Sequence, residues 1–486
     1  MSEFTSSRNG LNSVDCTEAI LNGLAPDGGL YCPLSFKQID VSSLMDKSYS
    51  QIAEEILFSF FADLPQDQLS QVIQETYATR FDHPEVVPMY RTKDAYFMEL
   101  WHGPTCAFKD VALTIMPHLL NLCMKKSDFP KDILILTATS GDTGKAALEA
   151  FKDMEHIHIK VLYPHGLVSM IQERQMQTTE GDNVEVLSVR GNFDDCQKIV
   201  KKIMEEKHAY RHICLSSANS INIGRLIPQV VYYFKAYADL LKQKEIQAGE
   251  QVDFIIPTGN FGDILAGYIA KEMSLPIGKL VCASNINNVL EDFINTGIYD
   301  SRRIFHNTIA PSIDILISSN LERLLYFLCK DGKQVASYMK QLKEKGSYQV
   351  DRDLLEKIQK DFYGLSANEN ECMEAIRELY QKEQYLIDPH TATAYACLKK
   401  YRSSHKKVVL STASPYKFAK AVYQSITGIA LPDDLSCMDK LHELTGVPVP
   451  ESLAQLKTKA IRFQSILEKE TAEETILKKL EELDHV

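Results

Sequence analysis

The chain has 486 residues, 45% of them hydrophobic and 24% charged, with a formal net charge of -12 and a pI near 5.6. That length buries the cores of two or three domains, and the acidic balance argues against a nucleic-acid surface or a polybasic membrane patch and for a small-molecule partner. Eleven cysteines, an odd number scattered without a C-x-x-C pair, indicate neither a disulfide framework nor a cysteine zinc site.

From the N-terminus, Glu3, Asp15 and Glu18 interrupt any apolar core of signal-peptide length. No stretch approaches the roughly 18 apolar residues of a membrane span, so a cytoplasmic enzyme or binding protein is expected. Residues 35–85 are mainly helical in pattern, as in "SQIAEEILFSFFADL" and "QDQLSQVIQETYATRF", and read as a small N-terminal cap. Short β-rich runs then alternate with helical ones: "ILILTA", "IKVLYP", "VEVLSV", "FIIPTG", "KLVCAS" and "KVVLST" are separated by segments such as "KAALEAF" and "IPQVVYYFKAYADLLK". This alternation predicts an α/β fold of doubly wound, mainly parallel sheets. In such sheets ligands bind in the turns after the carboxyl ends of strands. Residues 318–385 again look helical, and the tail from 452 reads as a charged amphipathic helix pair on a solvated surface. The expected organisation is an N-terminal domain over 1–90, a catalytic domain of two α/β subdomains over 91–435 with the helical insert inside it, and a C-terminal helical tail over 436–486.

Several of these turns carry chemistry. "TSGDTGK" fails as a nucleotide phosphate loop, because Thr139 stands where the first glycine belongs and Ala146 follows Lys145 where Ser or Thr is needed. A strand, a glycine turn and a helix N-terminus remain, and free N–H groups there suit some other anion. In "HGPTCAFKD", Lys109 follows a small-residue turn and heads the apolar "VALTIM". A lone lysine is ordinarily a solvated surface charge, but a desolvated amine of lowered pKa is a nucleophile. In "PTGNFGDILAGYIA", Gly259, Asn260, Phe261 and Gly262 lead from a strand into a helix with Asp263 in its first turn. Such a loop aims several N–H groups at one phosphate without a basic side chain, although a plain strand-to-helix turn reads the same way. Cys106 is read as a small packing residue.

Seven segments in order, "GLAPDGGLYCP", "HGPTCAFKD", "TSGDTGKAA", "SSANSINIGRLIPQ", "PTGNFGDILAGY", "DPHTA" and "STASPYKF", resemble threonine synthase of the bacterial and fungal branch, and the resemblance covers nearly the whole chain. That family uses pyridoxal 5'-phosphate on fold type II, the tryptophan-synthase-β type. The resemblance implies that Lys109 bonds covalently to the cofactor, that Gly259, Asn260, Phe261 and Gly262 hold its phosphate, and that Thr412 lies beside the pyridine nitrogen. A hydroxyl there, in place of an aspartate, leaves the ring nitrogen largely unprotonated and suits elimination and replacement better than transamination. Ser140, Gly141, Asp142 and Thr143 are implied to receive the substrate α-carboxylate or border the ring hydroxyl. Asp142 itself, which would repel a carboxylate, is expected to face the ring 3'-oxygen or cap the helix.

"SSANSINIGRLIPQ" offers Ser217, Asn219, Asn222 and Arg225. A dianionic substrate phosphate calls for a cationic clamp, for which Arg225 and Lys145 are candidates against a reading as helix caps and surface pairs. His390 matches the family's "DPHTA", though a lone histidine is more often structural. "FTSSRNG" departs from the family's serine-threonine-arginine-glycine run, so no role carries over to Arg8. The implied reaction is that of a lyase converting O-phospho-L-homoserine and water to L-threonine and phosphate, the last step of threonine biosynthesis, without a metal and on a monomer or homodimer. The alternatives are a threonine-synthase-like phospholyase that stops after phosphate elimination and a serine/threonine dehydratase, the latter disfavoured by "DPHTA" and "PTGNFGD". A non-enzymatic homologue is expected to have lost Lys109 or the glycine loop, and both are present.

Overall fold

The computed structural model describes residues 3–8, 13–139, 141–205 and 210–484. Ser140 therefore lies outside the described residues. The six β-rich runs are all strands, and they sort into two sheets. The larger sheet contains β4 (Met89–Arg91), β5 (Tyr96–Glu99), β10 (Val252–Pro257), β11 (Ile277–Ser284), β14 (Phe362–Ser366) and β15 (Lys406–Ser411). Its order is β14-β11-β10-β15-β5-β4, parallel throughout except at the β4–β5 edge. The second sheet contains β6 (Asp132–Ala138), β7 (Ile157–Pro164), β8 (Val184–Arg190), β9 (Ile213–Ser216) and β16 (Ile466–Glu468), in the all-parallel order β16-β8-β7-β6-β9.

Successive strand residues point to opposite faces, and both faces of these sheets are covered. On β6, Ile133 and Ile135 join the main core while Leu134 and Leu136 pack on the other side. On β10, Phe254 and Ile256 face the main core and Ile255 a second one. This burial on two sides is why the runs read as continuous apolar stretches. The carboxyl ends of β6, β10 and β15 each open into a turn: Thr139–Gly141, 258–261 and Thr412–Ser414. Among the described residues, no helix is long and apolar enough to cross a membrane.

The N-terminal region has the expected helices, Tyr49–Phe60 with a Ser48/Gln51 capping box and Gln66–Thr79. It also has an antiparallel sheet, β2-β1-β3, made of β1 (Phe4–Ser6), β2 (Ser13–Val14) and β3 (Tyr31–Pro33). The helical stretch at 318–385 is interrupted by β13 (Ser347–Gln349), which pairs with β12 (Ile298–Asp300), and by β14. β14 carries no alternating pattern of its own. Gly364 lets it approach the backbone of Glu291, whose Cα would lie 3.0 Å from an added Cβ.

The tail corrects the expected helix pair. Only two short turns, Glu451–Ala454 and Gln455–Lys457, precede the extended β16, and one long helix, Lys469–Asp484, follows. β8 would otherwise be an open sheet edge, and β16 closes it. Ala472, Ile476 and Leu480, spaced by four, are fully buried against Leu187 and Val189. Asp484 accepts the N–H groups of Arg211, His212 and Ile213, which ties the helix end to the start of β9. The tail is thus part of the second sheet's core. Ile476→Ala should cost about 2 to 5 kcal/mol, read by denaturant unfolding. An unchanged midpoint would mean that the helix is a solvated appendage.

Candidate active site

Lys109 and Thr412 are brought together by a backbone zipper. Ala107 and Ala413 form an antiparallel bridge, Phe108 N–H donates to Thr412 O at 2.8 Å, and Ser414 N–H donates to Cys106 O at 3.0 Å. Cys106 adopts φ +58° to enter this turn, and burial pushes its thiol up to about 12, so it serves as a small packing residue and no nucleophile. The zipper delivers Lys109 at the head of the helix Lys109–Leu113, with 8% exposure. Its Nζ donates to Ser312 Oγ at 3.4 Å and lies 3.7 Å from Asp142 Oδ2 and 4.8 Å from the Phe108 ring centroid. Burial brings the amine down to about 8. Asp142 works against that fall, and the charges of Arg225 and Lys417 add to it. The Thr412 hydroxyl has no partner among the described residues.

The turn after β6 is organised by Thr139, whose Oγ1 accepts the N–H groups of Gly141 at 3.0 Å and Gly144 at 2.9 Å. Gly141 has φ +141°, and a Cβ there would sit 2.5 Å from the Gln172 side chain, so only glycine fits. Asp142 opens the helix Asp142–Phe151 but does not cap it. Its carboxylate turns inward to Lys417 Nζ at 2.9 Å, Gln172 Nε2 at 2.9 Å and Ser312 Oγ at 3.2 Å. Burial alone would raise this carboxyl. The ammonium groups of Lys417 and Lys109, with the Gln172 bond, hold it well below the usual carboxylate range. The N–H groups of Asp142 and Thr143 and the half-buried Thr143 hydroxyl have no acceptor or partner among the described residues, and they form an anion-receptive helix start.

The turn after β10 has the same character. Gly259 O accepts Ser318 Oγ at 2.8 Å, and Asn260 O accepts both the backbone N–H and the side-chain Nδ2 of Asn320, at 3.0 and 3.1 Å. In a trans peptide the N–H points opposite its carbonyl, so pinning these two carbonyls outward turns the N–H groups of Asn260 and Phe261 inward. With that of Gly262 they find no acceptor among the described residues. Phe261 takes the left-handed conformation, φ +63°, at the start of the helix Gly262–Glu272, which has no side-chain cap. Gly259 must be glycine because a Cβ would approach Ser312 O at 2.7 Å. A Cβ at Gly262 would make only ordinary van der Waals contact, the nearest atom being Asn320 Nδ2 at 3.5 Å, and its φ is not positive. Burial pushes the Asp263 carboxyl up to about 6 despite hydrogen bonds from Tyr232 and Tyr233, and its Oδ2 has no partner among the described residues. A buried lysine amine and inward N–H donors are what a phosphorylated aldehyde requires.

Arg225 is buried on the short helix Ile223–Leu226, its guanidinium donating to Ala218 O at 2.8 Å. Burial lowers it to about 10, and no carboxylate pairs with it among the described residues. A buried cation left unpaired is an anion site in waiting. Asn219 is exposed at the same loop, its Oδ1 accepting Thr137 Oγ1 at 3.3 Å. Asn222 is spent on capping that helix and on Ile20 O, and Ser217 Oγ accepts Asn219 N–H. Lys145 is held by Glu149 at 3.0 Å and Thr179 at 3.1 Å, so its charge is already matched. Arg8 forms a two-pronged pair with Glu322.

Four side chains of this site escape sequence reasoning: Lys417, Ser312, Asn320 and Asp388. Lys417 stands inside "STASPYKF", yet only the one-turn helix Pro415–Phe418 folds it inward. His390 Nε2 accepts the Ser312 N–H at 3.0 Å, which leaves its proton on Nδ1, 2.6 Å from Asp388 Oδ2. This pair steers the Ser312 loop onto Lys109.

Two parallel sheets whose strand ends surround a buried lysine and an N–H-lined loop place the chain among the pyridoxal-phosphate enzymes, and residues 83–413 match the family described as "Pyridoxal-phosphate dependent enzyme". Residues 3–77 and 391–476 match "Threonine synthase N terminus" and "Threonine synthase, C-terminal". The chain is 35% identical over 500 residues to threonine synthase of Saccharomyces cerevisiae, covering 92% of this chain and 96% of that one. It is 39% identical over 431 residues to the human protein named threonine synthase-like 1, covering 84% of this chain and 58% of that one. It superposes on the structure of pyridoxal-phosphate-bound threonine synthase from Brucella melitensis with TM-score 0.88 and 35% identity, over 98% of this chain and 99% of that chain. The chain belongs to the threonine synthase family.

The two loop glycines make separable predictions. Gly262→Val meets only ordinary van der Waals contacts at its Cβ and should lower the melting temperature of the cofactor-free chain less than Gly259→Ala does. By losing at least one charge-assisted hydrogen bond it should weaken pyridoxal phosphate about tenfold or more. Gly259→Ala should lower both, through the clash with Ser312. Unchanged cofactor affinity in Gly262→Val would place the phosphate elsewhere.

Proposed function

We propose that this chain converts O-phospho-L-homoserine and water to L-threonine and phosphate, with Lys109 as the residue that carries pyridoxal phosphate. The observation that carries the reading is the buried Lys109 amine, drawn down to about 8, set among three separate anion-receptive groups. In the turn from Gly259 to Gly262, the N–H groups of Asn260, Phe261 and Gly262 would hold the cofactor phosphate, and the Thr412 hydroxyl would meet the ring nitrogen. When bound, the cofactor supplies an electron sink for the carbon bearing the amino group. The backbone N–H groups of Asp142 and Thr143 and the Thr143 hydroxyl would seat the α-carboxylate, in the turn that Gly141 shapes. Arg225, with Asn219 at its loop, would take the departing phosphate, because it is a buried cation with no carboxylate and a single carbonyl acceptor among the described residues.

The chain's own work is acid–base chemistry in a closed space. Burial brings the neutral form of the Lys109 amine within reach near neutral pH, so Lys109 can accept the proton from Cα and return one later in the sequence. Ser312 Oγ, within 3.4 Å, keeps the amine pointed into the site. Asp142 stays ionised, which fixes the electrostatic setting while Lys109 changes charge.

Purified protein given O-phospho-L-homoserine should release phosphate and threonine in equal amounts. Phosphate with a keto acid and no threonine would overturn the reading in favour of a lyase that stops after elimination. Thr143→Val removes an unpartnered hydroxyl at nearly constant volume and should spare the fold and cofactor titration. The lost hydrogen bond to a charged group, roughly 1.5 to 3 kcal/mol, should lower kcat/KM about tenfold to a hundredfold. Loss of the cofactor with retained substrate affinity would exchange the roles of the two glycine turns.

A further inference from the structure

We propose that Lys417 sets the reactivity of Lys109 by holding Asp142, the carboxylate that among the described residues lies within 4 Å of both ammonium groups. The Lys417 side chain is fully buried, and its Nζ donates to Asp142 Oδ1 at 2.9 Å and to Thr105 O at 2.9 Å. The other carboxylate oxygen accepts Ser312 Oγ at 3.2 Å and lies 3.7 Å from Lys109 Nζ, outside hydrogen-bonding reach. In hydrogen-bond terms Asp142 belongs to Lys417. Lys109 feels the carboxylate through space, together with the repulsion of the lysine that holds it.

The remaining charges around Lys109 do not replace that pairing. Asp110, on its own helix, has both oxygens bonded to Thr105, at 2.8 and 2.6 Å. Asp263, from the helix Gly262–Glu272, is bonded to Tyr232 and Tyr233. Arg225 adds repulsion. A buried ammonium without a bonded carboxylate releases its proton readily, and a neutral amine is what condenses with an aldehyde.

The arrangement predicts opposite signs for two neutralising substitutions. Lys417→Met removes a repelling cation and frees Asp142 for Lys109, so the Lys109 titration should move up. Asp142→Asn removes the attractive carboxylate and leaves both cations, so the titration should move down. Loosening that merely admits water would move both variants up, toward an ordinary lysine.

The test is the pH dependence of Lys109 acylation by acetic anhydride in the full chain freed of cofactor, read peptide by peptide by mass spectrometry. The wild type should show a midpoint near 8. Lys417→Met should raise it by about one pH unit and Asp142→Asn should lower it by a similar amount, while Lys417→Arg stays near wild type. The pH profile of pyridoxal phosphate incorporation should follow the same order. No upward shift in Lys417→Met, or an upward or absent shift in Asp142→Asn, overturns the proposal. Should Lys417→Met not fold, the Asp142→Asn shift alone decides it. The importance for catalysis rests on Lys109 being the cofactor lysine. The acylation midpoints do not, so a cofactor found on another lysine would sink the proposed function and leave this reading standing.

Discussion

Asp142 occupies a water-poor pocket between two lysines, and burying three charges together is costly unless each is matched. Lys417 is matched by Asp142 and the Thr105 carbonyl, and Asp142 by Lys417, Gln172 and Ser312. Lys109 alone is under-matched, and reactivity resides in that residue. The same carboxylate joins the start of the helix Asp142–Phe151, which belongs to the second sheet, to the turn Pro415–Phe418 that follows β15 of the larger one. The two halves of the fold therefore meet at the charge on which the site depends.

A second constraint acts from the segment 308–323. Asp314 accepts Asn285 at 2.6 Å, Asn287 at 3.1 Å and the Thr308 N–H at 2.9 Å, which fixes the loop against the end of β11. From that anchor Ser312 reaches Lys109, Ser318 holds the Gly259 carbonyl and Asn320 holds the Asn260 carbonyl. Arg323, fully buried, donates to Asn320 and to the carbonyls of Tyr31 and Ile221. β3 of the N-terminal region and the loop before the Arg225 helix are thereby tied to the loop that turns its N–H groups inward. Arg323 has three acceptors, whereas Arg225 has one among the described residues, and that difference separates a structural cation from one available to a ligand.

Much of this was legible in the sequence where the signal is local. A strand followed by a glycine turn and a helix is a pattern of neighbours, so β6 and β10 and their turns could be placed, as could Lys109 at the head of an apolar helix. The left-handed residue of the second turn is Phe261, not a glycine, and the loop glycine under steric demand is Gly259, pressed by a carbonyl more than fifty residues away. Lys417 and Ser312 carry no local mark, since a lysine in an aromatic-flanked run and a serine in an irregular loop become significant only through what they touch. β14 and β16 were missed for the same reason: each is a strand because a partner edge needs one. The tail's burial was masked by charge, as Ala472, Ile476 and Leu480 are a narrow stripe on a highly charged helix.

The central claim is that the under-matched amine of Lys109 is the group that bonds to pyridoxal phosphate. The direct measurement is borohydride reduction of the cofactor-loaded protein, followed by digestion and mass spectrometry of the pyridoxyl-bearing peptide. A single stoichiometric adduct on Lys109, with none on Lys417 or Lys145, is the predicted result. An adduct on Lys417, or none on Lys109 in protein saturated with cofactor, would contradict the account.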